Sequence, residues 1–186
     1  MVVKTNPEFG VELALTVPYA YHLHLKGKLE TVITSRGMKP FYYFCDDVRE
    51  DFHMRTIDNA SAGLNTIPNN WIHGVNPLEE PAVLNYDEWT PPPYKDFYKN
   101  NEFVFENILA DVDGIGVISD RELPKYMDDV WLFDDIPTEY SYNETQLKIM
   151  ANSDYFITVC GGNSILSSLF GGTVISYVHK GKELRP

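Results

Sequence analysis

Apolar residues recur at helical spacing early in the chain. Leu13, Val17, Tyr21 and Leu25 lie four positions apart, and Gly27 offers a C-terminal stop. The unit opens at Asn6-Pro7-Glu8-Phe9-Gly10-Val11-Glu12-Leu13. Pro18 falls inside it, so it must start a second helical piece or kink the first. Thr31-Val32-Ile33-Thr34 then reads as a short strand. Pro40-Phe41-Tyr42-Tyr43-Phe44-Cys45 is an unbroken apolar run, and it predicts a buried strand ending at Asp46-Asp47.

The pattern dissolves over residues 57–101, which carry Pro68, Pro77, Pro81, Pro91, Pro92 and Pro93 among many Asn. A stretch of that kind predicts loops around short elements and a boundary between lobes. Periodicity returns after residue 110. Gly114–Ser119 and Val130–Phe133 are strand candidates. Ser141-Tyr142-Asn143-Glu144 has the form of a capping box, which predicts a helix running to about Asn152. Tyr155–Cys160 predicts a buried strand, Gly161-Gly162-Asn163 a tight turn, and Ser164–Phe170 a short helix. Gly171-Gly172 ends that helix, and Thr173–Val178 is a further strand. This β-α-β-α-β alternation implies an α/β fold with a mostly parallel, doubly wound sheet. The expected architecture is two Rossmann-like lobes, residues 1–105 and 106–186. The second is expected to be incomplete, because the chain stops at Arg185-Pro186 just after a strand.

Composition narrows the function classes. The chain has 186 residues, of which 44% are hydrophobic and 23% charged, an ordinary globular balance. Its net charge of −12 excludes the basic footprint that nucleic acid requires. It equally opposes docking on an anionic membrane. The acid is concentrated in the middle, since residues 46–140 carry a net −15 while both ends are mildly basic. No apolar run approaches the roughly 18 residues of a membrane span. No signal-peptide pattern opens the chain. Cys45 and Cys160 are too few for a disulfide framework, so a reduced, cytoplasmic setting is expected.

The sharpest candidate chemistry is Cys160-Gly161-Gly162-Asn163-Ser164, between a strand's carboxyl end and a helix start. Open α/β sheets bind ligands at that edge. Free helix amides favour a phosphate there. A plain strand-to-helix turn with an Asn cap explains the same residues. A nucleophile elbow also occupies such a position, but the closing glycine is missing. No acid stands between Ser164 and His179, so an α/β serine hydrolase is disfavoured. The second candidate is Phe9-Gly10-Val11-Glu12, with a glycine ahead of a helix and Glu12 in the first turn. Trp71, Trp89 and the tyrosines around Pro91–Tyr94 fit either sugar stacking or aromatic packing under loops. The five histidines have no metal-ligand spacing, and the acidic pairs Asp46-Asp47, Asp128-Asp129 and Asp134-Asp135 read as solvated charge. No metal or other cofactor is expected.

The stretch from Ser141 to Val178, "ANSDYFITVCGGNSILSSLFGGTVISYV" behind a capped helix, resembles the donor half of GT-B glycosyltransferases of the heptosyltransferase and fucosyltransferase kind. Glu8-Phe9-Gly10-x-Glu12-Leu13 resembles the glycine loop that opens the acceptor half of that fold. The resemblance implies sugar transfer from a nucleotide-sugar donor to a hydroxyl acceptor such as a glycan, without a bound metal. It would place Gly161, Gly162, Asn163 and Ser164 at the donor diphosphate. Ser141, Tyr142 and Gln146 would line the nucleotide pocket, with Phe9, Gly10 and Glu12 on the acceptor side. Helix dipole and side-chain donors would then stabilise the leaving diphosphate. Glu12, Asp46 and Asp47 are the candidates for a catalytic base, which must reach the acceptor hydroxyl. The alternative is a non-catalytic nucleotide- or sugar-binding module, or a degenerate transferase.

Overall fold

A computed structural model describes residues 1–56, 67, 89–99 and 139–178. The fold is α/β, and its strands run parallel in two small sheets. The chain separates into two compact units, Met1–Pro92 and Pro93–Pro186. The boundary expected at residues 105/106 lies outside the described residues, as do the strand candidates 114–119 and 130–133.

In the first unit, strand β1 (Val2–Lys4) pairs with β2 (Thr31–Ser35), and β2 pairs with β3 (Asp47–Phe52). Between β1 and β2 the chain makes one helical run with three textures: α1 (Phe9–Val11), a π-helical turn (Glu12–Thr16) and α2 (Val17–Leu25). The proline explains the change of texture. Pro18 sits in the first turn of α2 and so starts a second α-helical piece. Having no N–H, it cannot bond the carbonyl of Ala14 four residues back. The Trp89 indole N–H donates to that carbonyl instead, at 2.8 Å. One position earlier, the Val17 N–H reaches the Glu12 carbonyl across a widened turn. The run ends as expected at Gly27, which has φ +63°. Its N–H bonds the His24 carbonyl at 2.8 Å, and the Lys28 N–H bonds that of Leu23 at 2.8 Å. That pair of bonds satisfies two terminal carbonyls and requires the left-handed residue between them.

One expectation for this unit needs correction. Residues 40–45 do not form a strand. Lys39–Tyr42 make a 3-10 turn, with Pro40 fixing its first residues, and the third strand is the polar segment Asp47–Phe52. The aromatic run is apolar because it fills the core, not because it pairs in a sheet. Phe41 and Tyr42 are fully buried, and Phe44 packs against Tyr21 at 5.0 Å and His24 at 5.4 Å. β3 can be polar because no strand pairs with it beyond β2 among the described residues, and its side chains stay partly exposed. β1, at the very start of the chain, lay outside the predicted elements. The core comprises Val3, Leu13, Val17, Ala20, Leu23 and Val32, which join the sheet to the helical run.

In the second unit, α3 (Tyr94–Tyr98) lies against α4 (Tyr142–Ala151). Then follow β4 (Tyr155–Val159), α5 (Gly162–Ser168) and β5 (Thr173–Tyr177), a parallel β-α-β unit. The Ser141 cap is present, its Oγ accepting from the Glu144 N–H at 3.4 Å. The Glu144 carboxylate, expected to reach back to the Ser141 amide, instead faces Lys148 Nζ at 3.9 Å. Helix α5 starts at Gly162, so Gly162 and Asn163 belong to the helix and not to a free turn. Tyr94 is fully buried and stacks on Phe170 at 5.8 Å, which gives it a packing role. Leu147, Met150, Phe156 and Leu166 complete this core. β4 is not a strand buried on both faces. Phe156 and Thr158 are buried, but Tyr155, Ile157 and Val159 are exposed. Among the described residues, no helix is long and apolar enough to cross a membrane.

Candidate functional site

Three parallel strands of the first unit deliver their carboxyl ends to one edge. Thr5 follows β1, Thr34 and Ser35 close β2, and Arg55 lies just past β3. The helical run begins at the same edge, because it follows β1 after a short turn. Glu12 therefore points from the first helical turns toward the ends of β2 and β3. Its side chain has no exposed surface.

Such a carboxylate must be satisfied internally, since burying a lone charge is prohibitive. Four sequence regions meet to do so. The Thr34 hydroxyl donates to Glu12 Oε1, and the Tyr42 hydroxyl donates to the same oxygen at 3.0 Å. Arg55 Nη1 donates to Oε2 at 2.5 Å and to the Pro7 carbonyl at 2.9 Å. The guanidinium also lies 5.3 Å above the Phe9 ring, and Phe9 in turn packs edge-on against Phe41 at 5.5 Å. Beside this cluster Thr5 and Thr16 share a hydroxyl bond at 3.3 Å. Burial pushes the Glu12 carboxyl above its ordinary range, while Arg55 and the Thr34 and Tyr42 hydroxyls pull it back only in part.

Glu12 is one of the three carboxylates expected as candidates for the catalytic base, with Asp46 and Asp47. Of the other two, Asp46 is exposed and precedes β3, at the amino end of the same sheet. The register pairs Asp47 with Thr31 and Phe52 with Ser35. Strands of this length, at about 3.3 Å per residue, keep Asp46 and Glu12 at opposite ends. The structure does not bring these two together. Asp47 is tied to its neighbours: Arg49 Nη2 donates to it at 2.8 Å and the Thr31 hydroxyl at 2.9 Å, which holds its carboxyl below the ordinary range. Phe9 is half-buried and Gly10 buried, both within the first turn of α1 next to Arg55.

In the second unit, Gly161 through Ser164 stand where β4 runs into α5. The Gly161 N–H donates to Ser164 Oγ at 3.1 Å, and that hydroxyl donates to the Gly161 carbonyl at 2.7 Å. Ser164 thereby closes the first turn of its own helix. Asn163 is half-buried, and its carbonyl accepts from the Ser167 hydroxyl at 2.9 Å. Ser141 and Tyr142 are exposed at the start of α4, and Gln146 is buried one turn further along. Cys160 is half-buried with a free thiol.

Arg55, Thr34 and Tyr42 are the site residues that the sequence pattern does not single out. Only Arg55 left a trace: a carboxylate on a helical face with Leu13 and Leu15 requires a cation, and bases are scarce in residues 46–110. Among the described residues, no group of three His, Cys, Asp or Glu side chains could hold a metal ion. Compared with protein-family models, with curated proteins and with solved structures, the chain matches none.

Proposed function

We propose that the chain is a glycosyltransferase-type protein that binds a nucleotide-sugar donor through residues 161–164 and transfers its sugar to a hydroxyl acceptor. One observation supports this reading above the others. In both units a parallel strand leaves the sheet at its carboxyl end and enters a helix through glycine-bearing residues, Gly10 in one and Gly161-Gly162 in the other. Ligands of open α/β sheets gather at that edge. The mildly basic ends that carry both glycine segments suit a phosphorylated ligand better than the acidic middle does. On this reading Glu12 positions Arg55 and the α1 turn, and does not itself accept the acceptor's proton, because its carboxylate has no exposed surface.

A second reading is a nucleotide-sugar-binding module without turnover. The same burial of Glu12 favours it, together with the engagement of the Ser164 hydroxyl in its own helix turn. A thermal-shift screen with UDP, GDP and their sugar conjugates tests both. Binding should raise Tm by several degrees, and Gly162→Val should remove the rise. Sugar release from a donor panel distinguishes transferase from binding module. No shift with any nucleoside diphosphate would overturn both readings.

A further inference from the structure

Alternation along β4 and β5 sorts their side chains onto two faces. One carries Phe156 and Thr158 of β4, which are buried, with the half-buried Val174 and the exposed Ser176 of β5. The other carries Tyr155, Ile157 and Val159 from β4 and Thr173, Ile175 and Tyr177 from β5. On this second face Tyr155 is 77% exposed, Ile157 50%, Ile175 60% and Tyr177 61%. None of the six residues is charged. Among the described residues this second face stays exposed, whereas parallel sheets are ordinarily covered on both faces.

We infer that this face docks on the same face of a second copy of the chain. The register supplies the first argument. Tyr155 lies beside Thr173, Ile157 beside Ile175, and Val159 beside Tyr177. The two tyrosines therefore occupy one diagonal of the face and the two smaller residues the other. A two-fold axis lying between two stacked sheets, along or across the strands, sets each tyrosine over a small residue of the partner face. The isoleucines then meet at the centre. Large against small is what interdigitated packing requires, and an isologous interface must be complementary to itself. Sheets stack in this manner about 10 Å apart.

Area is the second argument. With a full tyrosine surface near 200 Å², the exposed patch is on the order of 500 Å² per copy. Two copies would bury about 1,000 Å², the lower limit for a specific interface, so the dimer is weak. Charge is the third. An uncharged face offers nothing to a strongly basic or acidic partner, whereas each copy carries −12 elsewhere. Screening that mutual repulsion with salt should therefore strengthen association.

Sedimentation equilibrium on the full chain, from about 1 to 100 µM, tests the inference. The expected result is a monomer–dimer equilibrium that tightens on going from low to moderate NaCl. Ile157→Asp and Ile175→Asp should each weaken it more than tenfold with circular dichroism unchanged. Met54→Ser, at an exposed apolar residue of the first unit, should leave it unchanged. A monomer at every concentration overturns the inference. So does a dimer indifferent to both aspartates. A monomer that Ile175→Asp unfolds would show that the chain's own residues occupy the face, which also overturns it.

Discussion

The two strand-to-helix junctions are built by opposite means. At the first, Glu12 is held by Thr34, Tyr42 and Arg55, whose positions are 22, 30 and 43 residues away. At the second, Gly161 is held by Ser164, three residues away. The first junction exists only when the whole unit is assembled. The second is a local turn that any short piece of chain can close. A buried charge makes the first junction costly to disturb, because removing one partner leaves the other without water or counter-charge. The second has little to lose beyond a few exposed hydrogen bonds.

This contrast can be broken by measurement. Arg55→Ala should destabilise the protein by about 3 kcal/mol in urea unfolding at pH 8, since it strands a buried carboxylate. The loss should shrink as the pH falls, because protonation relieves the stranded charge. Lys95→Ala, which removes the partly exposed pair to Asp154 at 2.7 Å, should cost far less, because solvent screens that pair. Equal effects would mean that the Glu12 cluster is no tighter than a surface pair. The wild type has its own pH signature. Because the folded protein holds the Glu12 proton more tightly than the unfolded chain, this group's contribution is fully present below its ordinary value of 4.5. It is lost as the pH rises through the elevated folded value. Glu12→Gln should flatten that part of the stability profile.

A smaller effect, about 2 kcal/mol, is expected for Gly172→Ala. Its φ is +89°, and an added Cβ would stand 2.4 Å from the Asp154 carbonyl oxygen. That carbonyl accepts from the Thr173 N–H at 2.9 Å and helps set the start of β5 beside β4. Gly161→Ala meets nothing within 4 Å, but its φ of +159° is one that L side chains rarely adopt, so its cost of about 1 kcal/mol should come from the backbone alone. The pair shows whether the second unit is fixed by its strand starts or by its glycine junction; thermal melts of both variants suffice. Trp89→Phe should cost about 1 kcal/mol, from the loss of the indole donor to the Ala14 carbonyl.

The same division explains what could be read from sequence. The Ser141 cap, the Gly27 stop and the proline that restarts the helix are local devices, and each stands where its residues predict. The α/β class with parallel strands also follows from the order of the elements. The failures lie where burial decides and not periodicity. Pro40–Cys45 is apolar enough for a strand, yet tertiary packing uses it as a 3-10 turn carrying two core aromatics. Asp47–Phe52 is too polar to announce itself, and it serves because it pairs only with β2 among the described residues. For the candidate site, Glu12 and Gly10 were legible from their place at a helix start. Arg55, Tyr42 and Thr34 were not, because nothing in a linear pattern says which distant donors a buried carboxylate will collect.

The Trp89 bond also bears on synthesis. Pro18 leaves the Ala14 carbonyl without its usual helical donor, and the side chain that fills the gap is 75 residues downstream. A nascent chain emerging from the ribosome can close most of the α2 helix at once, but not this bond. Nearly half of the 186 residues must be translated before the helix is complete. Until then water must supply the hydrogen bond that the Ala14 carbonyl lacks.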